Sequence, residues 1–155
     1  MSLGPFSSSA TRKKGFRVTA YVSEVKEPAP FPTTAALLHY LYRDLTRLSD
    51  VASADLVLHP FAPANSQPLV GIAAAQAHEE ALVKATRATL VMDVESVTAN
   101  DNFGVVMGTL RAKKDGLKDL AMPFCGVWRF EGGLAVEHWE NGVGNPDEVA
   151  EWLNA

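Results

Sequence analysis

His138 and Glu140 stand two residues apart in the run Glu137-His138-Trp139-Glu140, near the end of the chain. If that run is a strand, alternate side chains go to opposite faces, so Val136, His138 and Glu140 share one face and Ala135, Glu137 and Trp139 the other. An imidazole beside a carboxylate is a base with an electrostatic partner. His59, which closes an earlier apolar segment just before Pro60, is the third group expected in the same hollow. Such a trio suits removal of a proton from a carbon next to a carbonyl, one group taking the proton and another donating to the developing enolate. His59, His138 and Glu140 are therefore the candidate catalytic residues. Each has a structural alternative: His138 as a half-buried sheet residue bonded to Glu140, His59 as a strand-end cap, Glu140 as a solvated group at a rim.

Four further residues are expected to line a ligand pocket: Tyr40, Asp44, Phe61 and Trp128. Tyr40 and Asp44 are four apart in a helical pattern, which lets them meet on one face, and a tyrosine hydroxyl can serve as an oxyanion donor. Helix surface is the competing reading. Trp128 reads equally as pocket wall or core. His39 and His78 are expected to face solvent or to pack. No His-x-x-x-His spacing and no cysteine pair is present, so neither a metal nor another cofactor is expected. Cys125 is the single cysteine, which excludes an internal disulfide, and its apolar neighbours make it a small buried hydrophobe.

The elements that would position these groups can be read along the chain. Residues 1–15 are Ser-rich and tail-like, and 16–22 alternate as a strand. The prolines at 28, 30 and 32 then break regular structure, giving an N-terminal extension with a linker over 1–33 and one domain over 34–155. Residues 34–48 carry a leucine stripe after a threonine cap, a helix that includes Tyr40 and Asp44. A short connection leads to an extended segment over 55–61, and a second, alanine-rich helix covers 71–88. From residue 89 onward the pattern is of strands: 90–97, 104–111, 117–130 and 134–140. A tight hairpin is expected at Asp115-Gly116 and another turn at Gly132-Gly133. Asn145-Pro146-Asp147-Glu148 opens a last helix, with Asn145 as cap, Pro146 in the first position and Glu148 placed for a capping box. Strands following helices in this way argue for an α+β domain with helices gathered on one side of an antiparallel sheet.

Composition narrows the functional classes. With 18 acidic against 14 basic side chains the formal charge is -4, so nothing favours a nucleic-acid partner. No apolar run approaches the ~18–20 residues needed to span a bilayer, and no membrane partner is expected. The first fifteen residues lack the apolar stretch of a secretory signal, which leaves the cytoplasm as the expected location.

Two stretches resemble a known family. The run from Cys125 to Glu140, in which an aromatic strand passes through a glycine turn into Glu137-His138-Trp139-Glu140, resembles the closing hairpin of the SnoaL-like branch of the nuclear-transport-factor-2-like superfamily. Asp55-Leu56-Val57-Leu58-His59-Pro60 is similar to the segment that follows that branch's first helix, with Leu58 where a glutamine is usual and no asparagine before Pro60. The resemblance covers the chain from about residue 33 to its end. It implies a cystatin-like cone, a curved antiparallel sheet wrapped around helices, whose mouth admits a hydrophobic small molecule. It also implies a cofactor-free isomerase, cyclase or dehydratase, or a non-catalytic binding module of the same fold, and a homodimer. Asn141 and Gly142 stand where some cyclases continue with a catalytic acid, a departure that weakens any direct transfer of cyclase chemistry.

Overall fold

A computed structural model of the protein describes residues 31–63 and 66–155. The strand expected over 16–22 and most of the proline linker lie outside the described residues. Helix α1 (Thr34–Leu41) starts where the Thr33 hydroxyl accepts from the Ala36 amide, 3.1 Å, and buries Leu37, Leu38 and Leu41. It stops seven residues short of Leu48. Asp44 is the reason: its carboxylate accepts from the Thr46 amide (3.1 Å) and hydroxyl (2.6 Å), capping a separate 3-10 turn, Leu45–Arg47, that runs into the short α2 (Leu48–Val51). A side chain that bonds its own backbone two residues on competes with helix continuation.

Strands β1 (Ala52–His59) and β2 (Leu69–Val70) precede helix α3 (Ile72–Ala85). Then come β3 (Val91–Ala99), β4 (Phe103–Ala112), β5 (Leu120–Glu131) and β6 (Leu134–Gly142), and α4 (Pro146–Asn154) closes the chain. All six strands form one sheet in the order β2-β1-β6-β5-β4-β3. The sheet is mixed rather than wholly antiparallel, because β1 runs parallel to β6. That pairing places the earliest long strand beside the last, in the interior of the sheet. Register shifts in the β1/β6, β3/β4 and β5/β6 pairs bend the strands, and bulges of this kind increase local twist and curvature.

Alternation is clearest in β4, where every second residue from Gly104 to Ala112 is buried. The inner face of the sheet meets α1 and α3 around Leu56, Leu58, Val106, Trp128 and Phe130. Gly132 and Gly133 take φ of 60° and 82° in the turn between β5 and β6, the two positive values a type I′ hairpin requires. The turn expected at Asp115-Gly116 is not a tight hairpin. Residues 113–119 form a longer loop, from which Lys114 turns inward and donates to the Trp152 (2.9 Å) and Leu153 (2.8 Å) carbonyls at the end of α4. At the start of α4, Asn145 accepts from the Asp147 amide, 2.9 Å, in place of the bond to Glu148 that a capping box would use. No helix among the described residues is long and apolar enough to cross a membrane.

Lys114 supplies a charged donor to carbonyls that α4 cannot satisfy itself, and such bonds contribute about 1.5–3 kcal/mol. Lys114→Met is expected to lower unfolding free energy by about that amount in urea titration, and to increase amide exchange in α4 before exchange elsewhere.

Candidate functional site

The inner face of β6 carries His138 and Glu140, and α3, packed against the neighbouring β1, reaches them with its side chains. On the packed face of α3 Ala75 is wholly buried, and one turn further on the helix turns Glu79 inward beside the half-buried His78. These four residues form one polar cluster in an otherwise apolar enclosure. His78 Nε2 lies 3.1 and 3.2 Å from the two Glu140 oxygens, and the Phe61 amide donates to Glu140 Oε2 at 2.9 Å. Donor-capable atoms of Glu79, His138 and Glu140 all lie within 4.8 Å of one another. Among the described residues Glu79 Oε2 has no hydrogen-bond partner, although its residue is only 3% exposed.

Protonation follows from these surroundings. Burial drives the Glu79 carboxyl well above its ordinary range, and the charge of Glu140 pushes it the same way. Burial also works against ionisation of Glu140, but the His78 hydrogen bond and charge, His138 and the Phe61 amide together bring it below its ordinary value. His78 is raised, chiefly by its bond to Glu140 and against the effect of burial. These surroundings favour a protonated carboxyl at Glu79 and an ionised one at Glu140.

His138 is set by different contacts. Its Nδ1 lies 3.1 Å from the Val127 carbonyl; a carbonyl only accepts, so Nδ1 carries the proton and Nε2 keeps a free lone pair. The ring stacks on Trp128, its cross-strand partner, with centroids 3.5 Å apart and planes 10° from parallel. Burial dominates and lowers the imidazole to about 4 despite the carboxylate of Glu140. Trp128 Nε1 donates to the Tyr42 hydroxyl at 3.1 Å. A side chain at Gly126 would overlap that hydroxyl, so glycine there makes room for it. Burial keeps the Tyr42 phenol far above its ordinary pKa, hence protonated, with its own hydrogen available to donate. Tyr42, Glu79, His138 and Glu140 line a cavity of about 90 Å3, with Phe61, Leu82, Met122 and Phe124 among its apolar walls.

The expected site residues are distributed as follows. His138, Glu140 and Phe61 meet in the cavity, with Trp128 as the wall behind His138. His59 does not join them. The β1/β6 register pairs Leu58 with His138, and both are buried on the inner face, so His59 points outward. There it donates to Glu137 at 2.9 Å, stacks on Trp139 and shares Glu137 with Arg129. The expectation of one hollow for His59 and His138 is thereby corrected. Tyr40 and Asp44 do not meet either, because α1 ends between them: Tyr40 donates to Asp50 at 2.9 Å and Asp44 caps the 3-10 turn. Tyr40 lies away from the cavity, under the guanidinium of Arg47. His78, expected on the surface or in packing, is the partner of Glu140. Glu79 and Tyr42 are the residues that sequence reasoning missed. The available signal was helical spacing: Glu79 falls on the same face as Ile72, Ala75, Leu82 and Thr86, the side of α3 that turns inward.

Glu79, His138 and Glu140 are also a possible donor set for a divalent cation, but Glu79 would first have to give up a proton that its burial retains.

This architecture, with helices held inside a bent mixed sheet, is that of cystatin-like and nuclear-transport-factor-2-like domains. A protein of unknown function from Xanthomonas campestris with a cystatin-like fold has 17% identity and a TM-score of 0.64, over 77% of this chain and 98% of its own. A candidate SnoaL-like polyketide cyclase from Jannaschia sp. CCS1 has 19% identity and a TM-score of 0.60, over 79% and 94%. A nuclear-transport-factor-2-like protein of unknown function from Cytophaga hutchinsonii has 17% identity and a TM-score of 0.57, over 69% and 92%. Within that class, the model of the SnoaL-like domain matches residues 35–138, and the chain belongs to that family. No curated protein matches it.

Opposite pH effects on stability follow from His138 and Glu79. His138 falls from an ordinary 6.5 to about 4, so between those values the unfolded chain binds a proton that the folded chain refuses. Stability therefore drops as pH falls through that window, by on the order of 3 kcal/mol. Glu79 is raised, so the unfolded chain ionises above about 4.5 while the folded chain does not, and stability drops as pH rises. His138→Gln should flatten the acid limb of a Tm–pH profile. Glu79→Gln should raise Tm at pH 7–8, with the gain vanishing near pH 4.5.

Proposed function

We propose that the cavity is an acid–base site for a carbonyl compound, in which His138 removes a proton from the carbon beside the carbonyl and Glu79 and Tyr42 donate to the oxygen. The observation that supports this most directly is the pairing of a free imidazole lone pair with a buried, unpartnered carboxylic acid in one enclosure. When the C–H bond breaks, its proton goes to Nε2 and the electron pair moves to the carbonyl oxygen as an enolate. Glu140, held by His78, offsets the imidazolium charge, and the two O–H donors meet the oxyanion. Return of the proton to another carbon gives isomerisation; attack of the enolate carbon on a second carbonyl gives ring closure. A desolvated site makes such donors more effective, because no solvent must reorganise as charge develops.

The reading needs no knowledge of the natural substrate to be tested. The protein should accelerate exchange of the α-hydrogens of butanone in D2O, followed by NMR. His138→Gln should reduce the excess rate by about 10²-fold or more, with the far-ultraviolet circular dichroism unchanged. The base must be unprotonated, so exchange should persist through pH 6 and decline only as pH approaches 4. Exchange no faster than in buffer, or undiminished in the variant, would count against catalysis; retention of a co-purified ligand without exchange would favour a binding module.

We further propose that a second copy of the chain covers the outer face of the sheet. Phe103 and Met107 are 50% and 52% exposed there, in line with the half-buried Val105, Cys125, Val127 and Trp139 through the β4/β5/β6 register. Contiguous apolar surface on a sheet is a mark of association. Sedimentation equilibrium should give a dimer for the wild type and a monomer for Met107→Lys; a wild-type monomer at micromolar concentration would reject it.

A further inference from the structure

The inner cavity is small for a substrate. It measures about 90 Å3. Ligand pockets are usually ~300–1,000 Å3. Beside it, sharing Tyr42, Leu45 and Met92 as a common wall, opens a groove of about 460 Å3 between the end of α1, the end of α3 and β3. Its floor is aliphatic, from Val83, Leu90 and Val94, while Arg43 supplies its cationic side chain. Asp44 is the groove's acid, and Thr46 and Arg47 already occupy it. Among the described residues Arg43 therefore has no carboxylate partner within 4.0 Å.

We infer that the two compartments take one molecule: an elongated aliphatic oxo-acid, its carbonyl end in the small cavity and its anionic group beside Arg43. The inference rests on the acid–base reading for the inner end and adds the chemistry of the outer end. Direction follows from charge. The inner compartment already holds the Glu140 carboxylate in an apolar enclosure, which would repel a second anion, whereas the groove presents the exposed guanidinium of Arg43, which has no carboxylate partner among the described residues. The aliphatic middle lies across Leu45 and Met92, two of the three residues that line both spaces. A neutral ketone would fill the same volume but leave Arg43 unused, so the anion selects among substrates that share a carbonyl end.

The probes are the oxo-acids CH3CO(CH2)nCO2− with n from about 3 to 8 and their methyl esters, titrated by calorimetry at pH 7. In low salt one chain length of acid should bind roughly fivefold more tightly than its ester, the gain available to one exposed ion pair. Arg43→Gln should remove that preference without altering ester affinity, and ~1 M NaCl should remove it in the wild type by screening. Arg43→Lys should restore part of it, which controls for a variant that merely perturbs the fold. Equal binding of acid and ester at every length, a preference that survives Arg43→Gln, or no binding of either overturns the inference. If esters bind and butanone exchange is present without an acid preference, only the outer end is wrong. If esters fail to bind and exchange is also absent, the carbonyl reading fails with it.

Discussion

Two carboxyl groups share a largely apolar compartment in which only Glu140 has partners for a negative charge, and most of the site is organised by that constraint. Glu140 keeps the charge because it collects an imidazole and a backbone amide. Glu79 has no such partner among the described residues and stays neutral. Had both faced water, neither would differ much from an ordinary surface acid. Enclosure by Phe61, Met122, Phe124 and Leu82 is what separates them, since an apolar wall penalises charge and leaves hydrogen bonds to decide which group carries it. The same walls hold His138 neutral. Groups pushed towards acid, carboxylate and neutral base are thereby set within a few ångströms of one another.

Cost accompanies this arrangement. A buried acid without a partner and an imidazole pushed far from its ordinary range both oppose folding, and neither is required to fill space. Leucines on α1 and the inner-face residues of β1, β4 and β5 provide a core around them. The fold carries a destabilising centre because the surrounding leucine, valine and aromatic packing is extensive. Such local conflict between chemistry and stability is common where a protein binds or reacts.

Much of the scaffold was legible in the chain. The Thr33 and Asn145 caps, the Gly132-Gly133 turn and the alternation that puts His138 with Glu140 all follow from local rules, and the structure has each of them. What was hidden depends on contacts between distant segments. His78 and Glu79 acquire meaning only when α3 is laid on β1 with β6 beside it, and nothing in an alanine-rich helix says which strands its side chains will reach. The misplacement of His59 was avoidable: Leu56 and Leu58 are the apolar members of an alternating segment, so parity alone sends His59 outward. Asp44 broke a helix that leucine spacing would have continued, because a short polar side chain capped the following turn more favourably than it extended the preceding one. Roles for these residues, unlike their positions, depend on chemistry that spacing does not encode.

Strand β6 serves two unlike environments at once. Its even-numbered residues His138 and Glu140 belong to the interior, while Glu137 and Trp139 belong to the His59 and Arg129 cluster outside. Because side chains alternate, sliding this strand by a single residue would exchange the two sets completely, exporting the imidazole and importing an ion pair. The two-glycine hairpin, together with the bulge between it and Glu137, is thus a ruler: their combined length keeps inside and outside from trading places. Lineages descending from this chain would then be freer to lengthen the 113–119 loop than to add one residue at positions 132–133.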